Sequence, residues 1–340
     1  MQRRKFLKVS GAGLATAALG SGLLSWVPRS EAATISKTYY ITEGTRTMPD
    51  GVVVYFQSFS NAAGTLTIPG ASMTCQEGDT LDITVVNNLA EPHSFVIEGL
   101  VPGDPPLAST GSIASGATGT ISYTVPSGSA GSYLFYDDVT PYNRFLGLFG
   151  GLAIMPSGSS TELYAGSPTF KKQLFWIFND IDPALNSAVQ RNAVVPTTYI
   201  PRYFTINGLT SLPPGAPGYT DYTKNALYDP RTKLKGFIGD RTLVRMMNAG
   251  MCSHSMHVHA NHMEWLTNNG VVRDSVWKKD VLYIRNNLGK VDAIYPFNPP
   301  PDAYPPVTKG EFPMHLHDEM SQTAGGGLYQ FGAMTTIQFL

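Results

Sequence analysis

Behind a Glu77-Gly78-Asp79 turn the chain runs Thr80-Leu81-Asp82-Ile83-Thr84-Val85-Val86-Asn87-Asn88, apolar and polar residues taking turns as on a half-buried β-strand. Short β-rich runs of this kind recur from end to end and leave room for little else. Strands are expected at 38–42, 52–58, 65–70, 77–88, 94–97, 119–125, 131–136 and 147–155, and again at 173–178, 203–206, 243–247, 255–259, 281–285, 312–317 and 333–339. Helical spacing is confined to 184–190, and 207–232 reads as loop. With 34 Gly and 25 Pro the chain is rich in turn formers, and only 14% of its residues are charged. A Ser-, Gly- and Pro-rich connection at 156–168 divides the 340 residues into two all-β domains, 34–157 and 168–340.

Residues 1–33 read as an export signal. Arg3-Arg4-Lys5-Phe6-Leu7-Lys8 precedes a mildly apolar stretch rich in Gly, Ala and Ser, and Ser30-Glu31-Ala32-Ala33 offers small residues for cleavage. Paired arginines followed by Phe-Leu-Lys resemble a twin-arginine signal, which implies a periplasmic or extracellular protein. No later apolar run reaches the ~20 residues of a spanning helix, so none is expected after cleavage. A net charge of -1 argues against a nucleic-acid partner. Cys75 and Cys252 are too few for a disulfide framework; a single pair and two free thiols both remain open.

Six of the seven histidines fall in two short clusters, His254, His257, His259 and His262, then His315 and His317. Alternation on a strand puts His257 and His259 on one face, and likewise His315 and His317. Two such strands side by side would aim four imidazoles at one point. Neutral imidazole suits copper, zinc, iron or nickel. His262 has no assigned role.

Val244-Arg245-Met246-Met247-Asn248-Ala249-Gly250, followed by His254-Ser255-Met256-His257-Val258-His259, resembles the first copper-binding motif in the last cupredoxin domain of multicopper oxidases. Met314-His315-Leu316-His317 resembles their second, His-Cys-His. Phe204-Thr205-Ile206-Asn207-Gly208, Ile68-Pro69-Gly70 and Gly147-Leu148-Phe149-Gly150-Gly151 also fit, and Pro92-His93-Ser94-Phe95 is similar to the two-domain copper nitrite reductases. The resemblance implies two Greek-key, cupredoxin-like β-sandwich domains. It implies a trinuclear-cluster position for His257, His259, His315 and His317, and a type 1 copper position for His254 and for His93. It also implies a homotrimer, with the site between the first domain of one chain and the second domain of its neighbour.

The departures alter the expected chemistry. Leu316 stands where the type 1 cysteine belongs, and Ser321 where its further histidine belongs. A blue-copper relay needs the thiolate, so none is expected. Where the first domain of the family carries its own His-x-His pairs, this chain aligns Val96-Ile97-Glu98 and Tyr136-Asp137-Asp138. Glu98 is therefore a candidate ligand completing a mixed site, and Tyr136 and Asp138 are candidate proton carriers. Together these point to a copper oxidoreductase with one or two ions, acting on a small substrate or oxygen with an unspecified electron partner. Iron, manganese or zinc are the alternative metals. A non-catalytic copper-binding or tolerance protein, and a metal-free structural protein on the same fold, are the competing readings.

Overall fold

Leu81, Ile83 and Val85 are fully buried while Asp82 faces solvent, so the alternation that marked this segment is the alternation of a strand in a sheet. The computed structural model describes residues 23–24 and 29–340, apart from 213, 216–219, 221–223, 302–304 and 319–331. The twin-arginine stretch, Ser321 and the polar segment 319–327 lie outside the described residues.

The first half stacks two sheets. One runs Val53–Ser60, Thr34–Thr47, Thr80–Asn87, Thr118–Thr124; the other runs Gly70–Gln76, Phe149–Met155, Gly131–Tyr136, Val96–Ile97, Ala108–Ser109. Their inner faces share a core that includes Tyr39, Phe59, Phe95, Phe135, Leu81 and Ile83. The second half repeats the plan. Lys172–Ile181, Arg241–Asn248, Lys290–Pro296, Met263–Asn268 and Val271–Lys279 follow one another in one sheet. Leu234–Gly236, Met334–Phe339, Gly310–Leu316, His254–Val258 and Val281–Ile284 make the sheet that carries the histidines. Trp176, Met246, Met256, Tyr295, Met314 and Leu316 pack between the two. The chain is all-β as the pattern predicts, with the helix Pro183–Gln190 close to where helical spacing placed it. Asp182 caps that helix by accepting from Ala184 N–H, and Pro183 supplies a first-turn residue that has no N–H to satisfy.

The halves are welded together. Phe56, Ile68, Leu134 and Phe149 from the first pack against Phe175, Ile177, Tyr203 and Met247 from the second. Gly208 sits at φ +73°, and a Cβ there would meet the Ile68 carbonyl oxygen at 2.2 Å, so the domains can approach this closely only over glycine. Charges are buried in the same seam. Lys290 and Arg245 are fully buried. Lys290 Nζ donates to Glu98 Oε1 at 2.9 Å, Gly99 O at 3.1 Å and Ser132 O at 3.2 Å. Arg245 reaches Gln173, Gly131 O and Ser132 Oγ, and Ser132 donates in turn to Asp292. Cys75 and Cys252 are both free thiols, which closes the question of a pair.

Candidate metal centre

His254–Val258 pairs antiparallel with Gly310–Leu316 in a register that sets His257 opposite His315 and Met256 opposite Leu316. A shift of one residue would turn one histidine pair to the other side of the sheet. In the observed register the two faces separate cleanly. Met256, Val258, Met314 and Leu316 point into the core at 0–1% exposure, while His257 and His315 stand on the outer face with His259 and His317 beside them. Ring centroids lie 4.5 Å apart for His257–His259 and for His257–His317, 5.3 Å for His257–His315 and 5.4 Å for His259–His315. The ligand atoms of His257, His259 and His315 all fall within 4.8 Å of one another.

Backbone carbonyls decide which nitrogen each ring can offer. His257 Nδ1 is 3.2 Å from Asp280 O, and His315 Nδ1 is 3.3 Å from Leu316 O. A carbonyl only accepts, so each Nδ1 carries the proton and each Nε2 keeps its lone pair. His315 Nε2 then lies 3.2 Å from His259 Nε2. Burial holds the His257, His259 and His315 imidazoles below the usual histidine range, and the neighbouring rings add to the effect. The rings are therefore neutral near pH 7, the form that binds a cation. His315 is buried, the His257 side chain is 17% exposed, and His317 and His262 are open to solvent, so the cluster is reachable from outside. Its donor set, several neutral imidazoles with Nε2 lone pairs kept on His257 and His315, fits copper and also admits zinc, iron or nickel.

Other expected site residues go elsewhere. His254 does not join the cluster. It stands three positions before His257, an odd spacing, so the same alternation buries it on the core side. It lies against Phe178 and Phe204 at centroid distances of 5.6 and 6.3 Å, with neither ring nitrogen hydrogen-bonded. Its pKa is lowered by burial to about 4. Glu98 is not a free carboxylate: Oε1 accepts from Lys290 and from Leu134 N–H at 2.6 Å. Burial pushes its carboxyl up, against the pull of Lys290. The expectation that Glu98 completes a metal site overlooked Lys290, a buried cation 192 positions away that only the tertiary fold brings to it. Tyr136 lies under Arg144, with 5.5 Å from guanidinium to ring centre, and burial raises its hydroxyl pKa. Asp138 Oδ1 accepts from Ser94 Oγ at 2.6 Å. Within this chain neither Tyr136 nor Asp138 has a bond to the cluster. His93, which the resemblance assigns to type 1 copper, has its Nδ1 2.6 Å from Asp137 Oδ2, both groups buried, while its Nε2 is buried without a hydrogen-bond partner.

Sequence reasoning missed Asp280. It follows Trp277-Lys278-Lys279 in a segment not recognised as a strand, and no motif marks it.

The comparisons agree with this architecture. Residues 60–159 match the family model described as multicopper oxidase. A multicopper oxidase named mgLAC superposes with a TM-score of 0.65 at 21% identity, over 90% of this chain and 86% of that one. The blue copper oxidase from Nitrosomonas europaea gives 0.65 at 18% identity, over 90% and 85% of the chains. The copper nitrite reductase from the same organism gives 0.63 at 18%, over 90% and 94%. No curated protein matches. At these identities the superpositions speak for the fold. They show a two-domain, cupredoxin-like architecture, and the multicopper oxidase match falls on residues 60–159, within its first half. No helix among the described residues is long and apolar enough to cross a membrane.

Proposed function

We propose that this protein is an exported, copper-binding, multicopper-oxidase-like oxidoreductase whose one or two ions are held by His257, His259, His315 and His317, with no type 1 centre. The observation that carries the reading is the 3.2 Å approach of His259 Nε2 to His315 Nε2 beside the His257 and His317 rings. Bound copper supplies one-electron exchange with a small substrate or oxygen. The chain's own part is to hold His257 and His315 in the Nδ1–H tautomer and to leave His259 and His317 on an approachable face. Leu316, fully buried between the two histidines of its strand, replaces the thiolate that would carry electrons to a second centre. The twin-arginine-type leader sends the protein to the periplasm or beyond, and the homotrimer implied by the resemblance belongs to the same reading.

Metal analysis with visible and electron paramagnetic resonance spectra of the exported protein tests this. Copper without an intense blue band is expected, and His315→Ala should lose it. A wild-type protein free of copper after growth in metal-sufficient medium would refute the reading in favour of a metal-free scaffold. An intense thiolate–Cu(II) band would show that a type 1 centre exists after all.

A further inference from the structure

The His257 ring is held from behind by one residue in two ways. The Asp280 backbone carbonyl accepts from Val258 N–H at 2.9 Å and from His257 Nδ1 at 3.2 Å. The Asp280 carboxylate oxygen Oδ2 also lies 3.7 Å from the same Nδ1. The charge of Asp280 acts on both His257 and His259. Its position is set by pairing, because Val281 lies directly opposite His257 in the sheet.

We infer that Asp280 is a positioning residue for the copper site, orienting His257 and biasing the site toward the more highly charged copper ion. This rests on the copper reading above. The carbonyl fixes the tautomer. The carboxylate, beside the Nδ1–H and away from the metal-facing Nε2, raises the electron density that His257 offers to a cation. A negative charge at this distance favours Cu(II) over Cu(I), since the interaction scales with the charge of the ion. Asp280 itself is not a ligand in this arrangement. It lies outside the group of atoms that meet within 4.8 Å, and it acts through His257.

The test compares the full mature protein with Asp280→Asn and Asp280→Glu, and with Asp274→Asn, an exposed carboxylate on the strand Val271–Lys279 that leads into Asp280. Cu(II) and Cu(I) affinities are measured by competition with chromophoric chelators specific for each ion. Asp280→Asn should weaken Cu(II) binding about tenfold and Cu(I) binding less than about threefold. Asp280→Glu should restore most of the loss, and Asp274→Asn should change neither. In the metal-free protein, the ¹⁵N imidazole shifts of His257 should report the Nδ1–H tautomer. Unchanged Cu(II) binding in Asp280→Asn overturns the inference. So does an equal loss for both ions, the mark of a merely structural effect, or a wild-type His257 protonated on Nε2. Failure of the copper reading is separable, because there the wild-type protein itself binds neither ion.

Discussion

Replacing Lys290 with methionine keeps an unbranched stem out to the ε position, removes the Nζ ammonium and strands the carboxylate of Glu98. Both groups are out of water: Lys290 is 0% and Glu98 4% exposed. Their 2.9 Å contact joins the first domain to the second. Removing one member of a buried pair leaves the other charge uncompensated, which costs about 3–5 kcal/mol. The carbonyls of Gly99 and Ser132 lose their donor as well. Glu98 can relieve part of the penalty by taking a proton, since burial already pushes its carboxyl up. The single variant Lys290→Met should therefore lose stability toward the lower end of that range. In Lys290→Met/Glu98→Gln neither position carries a charge, and the amide oxygen can still accept from Leu134 N–H. That double variant should recover about 2–3 kcal/mol relative to the sum of the two single losses. Urea denaturation followed by tryptophan fluorescence measures all four proteins of the cycle. Copper content should not change, because neither residue touches the histidine cluster. A Lys290→Met protein less than about 1 kcal/mol below wild type, or single losses that simply add, would refute the reasoning.

His254 predicts a pH dependence. Its folded-state pKa of about 4 lies below the ordinary histidine value, so the unfolded chain takes a proton that the native state refuses. This contribution is fully present above pH 6.5 and is lost as the pH falls toward 4, by on the order of 3 kcal/mol. His254→Leu should remove that dependence, and at pH 7 it should be the more stable protein by roughly 1–2 kcal/mol, because two buried nitrogens without partners disappear. Equal slopes of stability against pH in the two proteins would contradict this. Gly208→Ala combines a left-handed backbone with a 2.2 Å clash against the Ile68 carbonyl and should cost at least about 2 kcal/mol in the same denaturation assay; a neutral result would mean the domains can separate there without penalty.

Much of the fold could be read from local pattern. Leu81, Ile83 and Val85 announce their strand because each faces the core, and the helix Pro183–Gln190 follows Asp182 as its capping chemistry requires. The strands that were missed are instructive. Val271–Lys279 is exposed at nearly every position, so it has no alternation to detect, and its Arg273 lies over the Trp265 and Trp277 rings at 3.8 and 4.5 Å. Lys290–Pro296 is buried on both faces, and its Lys290 and Asp292 break the apolar run that would mark such a strand.

The two His-x-His pairs were legible in the sequence, because residues two apart in extended chain share a face, and here His259 and His317 fall one residue past the ends of their strands. The same rule, applied to the spacing of three between His254 and His257, already contained the burial of His254. The tertiary structure alone decided that His257 would face His315, that Asp280 would stand behind His257, and that Lys290 would claim Glu98. Face alternation belongs to the backbone of a single strand. Register and partnership depend on which distant segments pack together, and a local pattern carries no record of that.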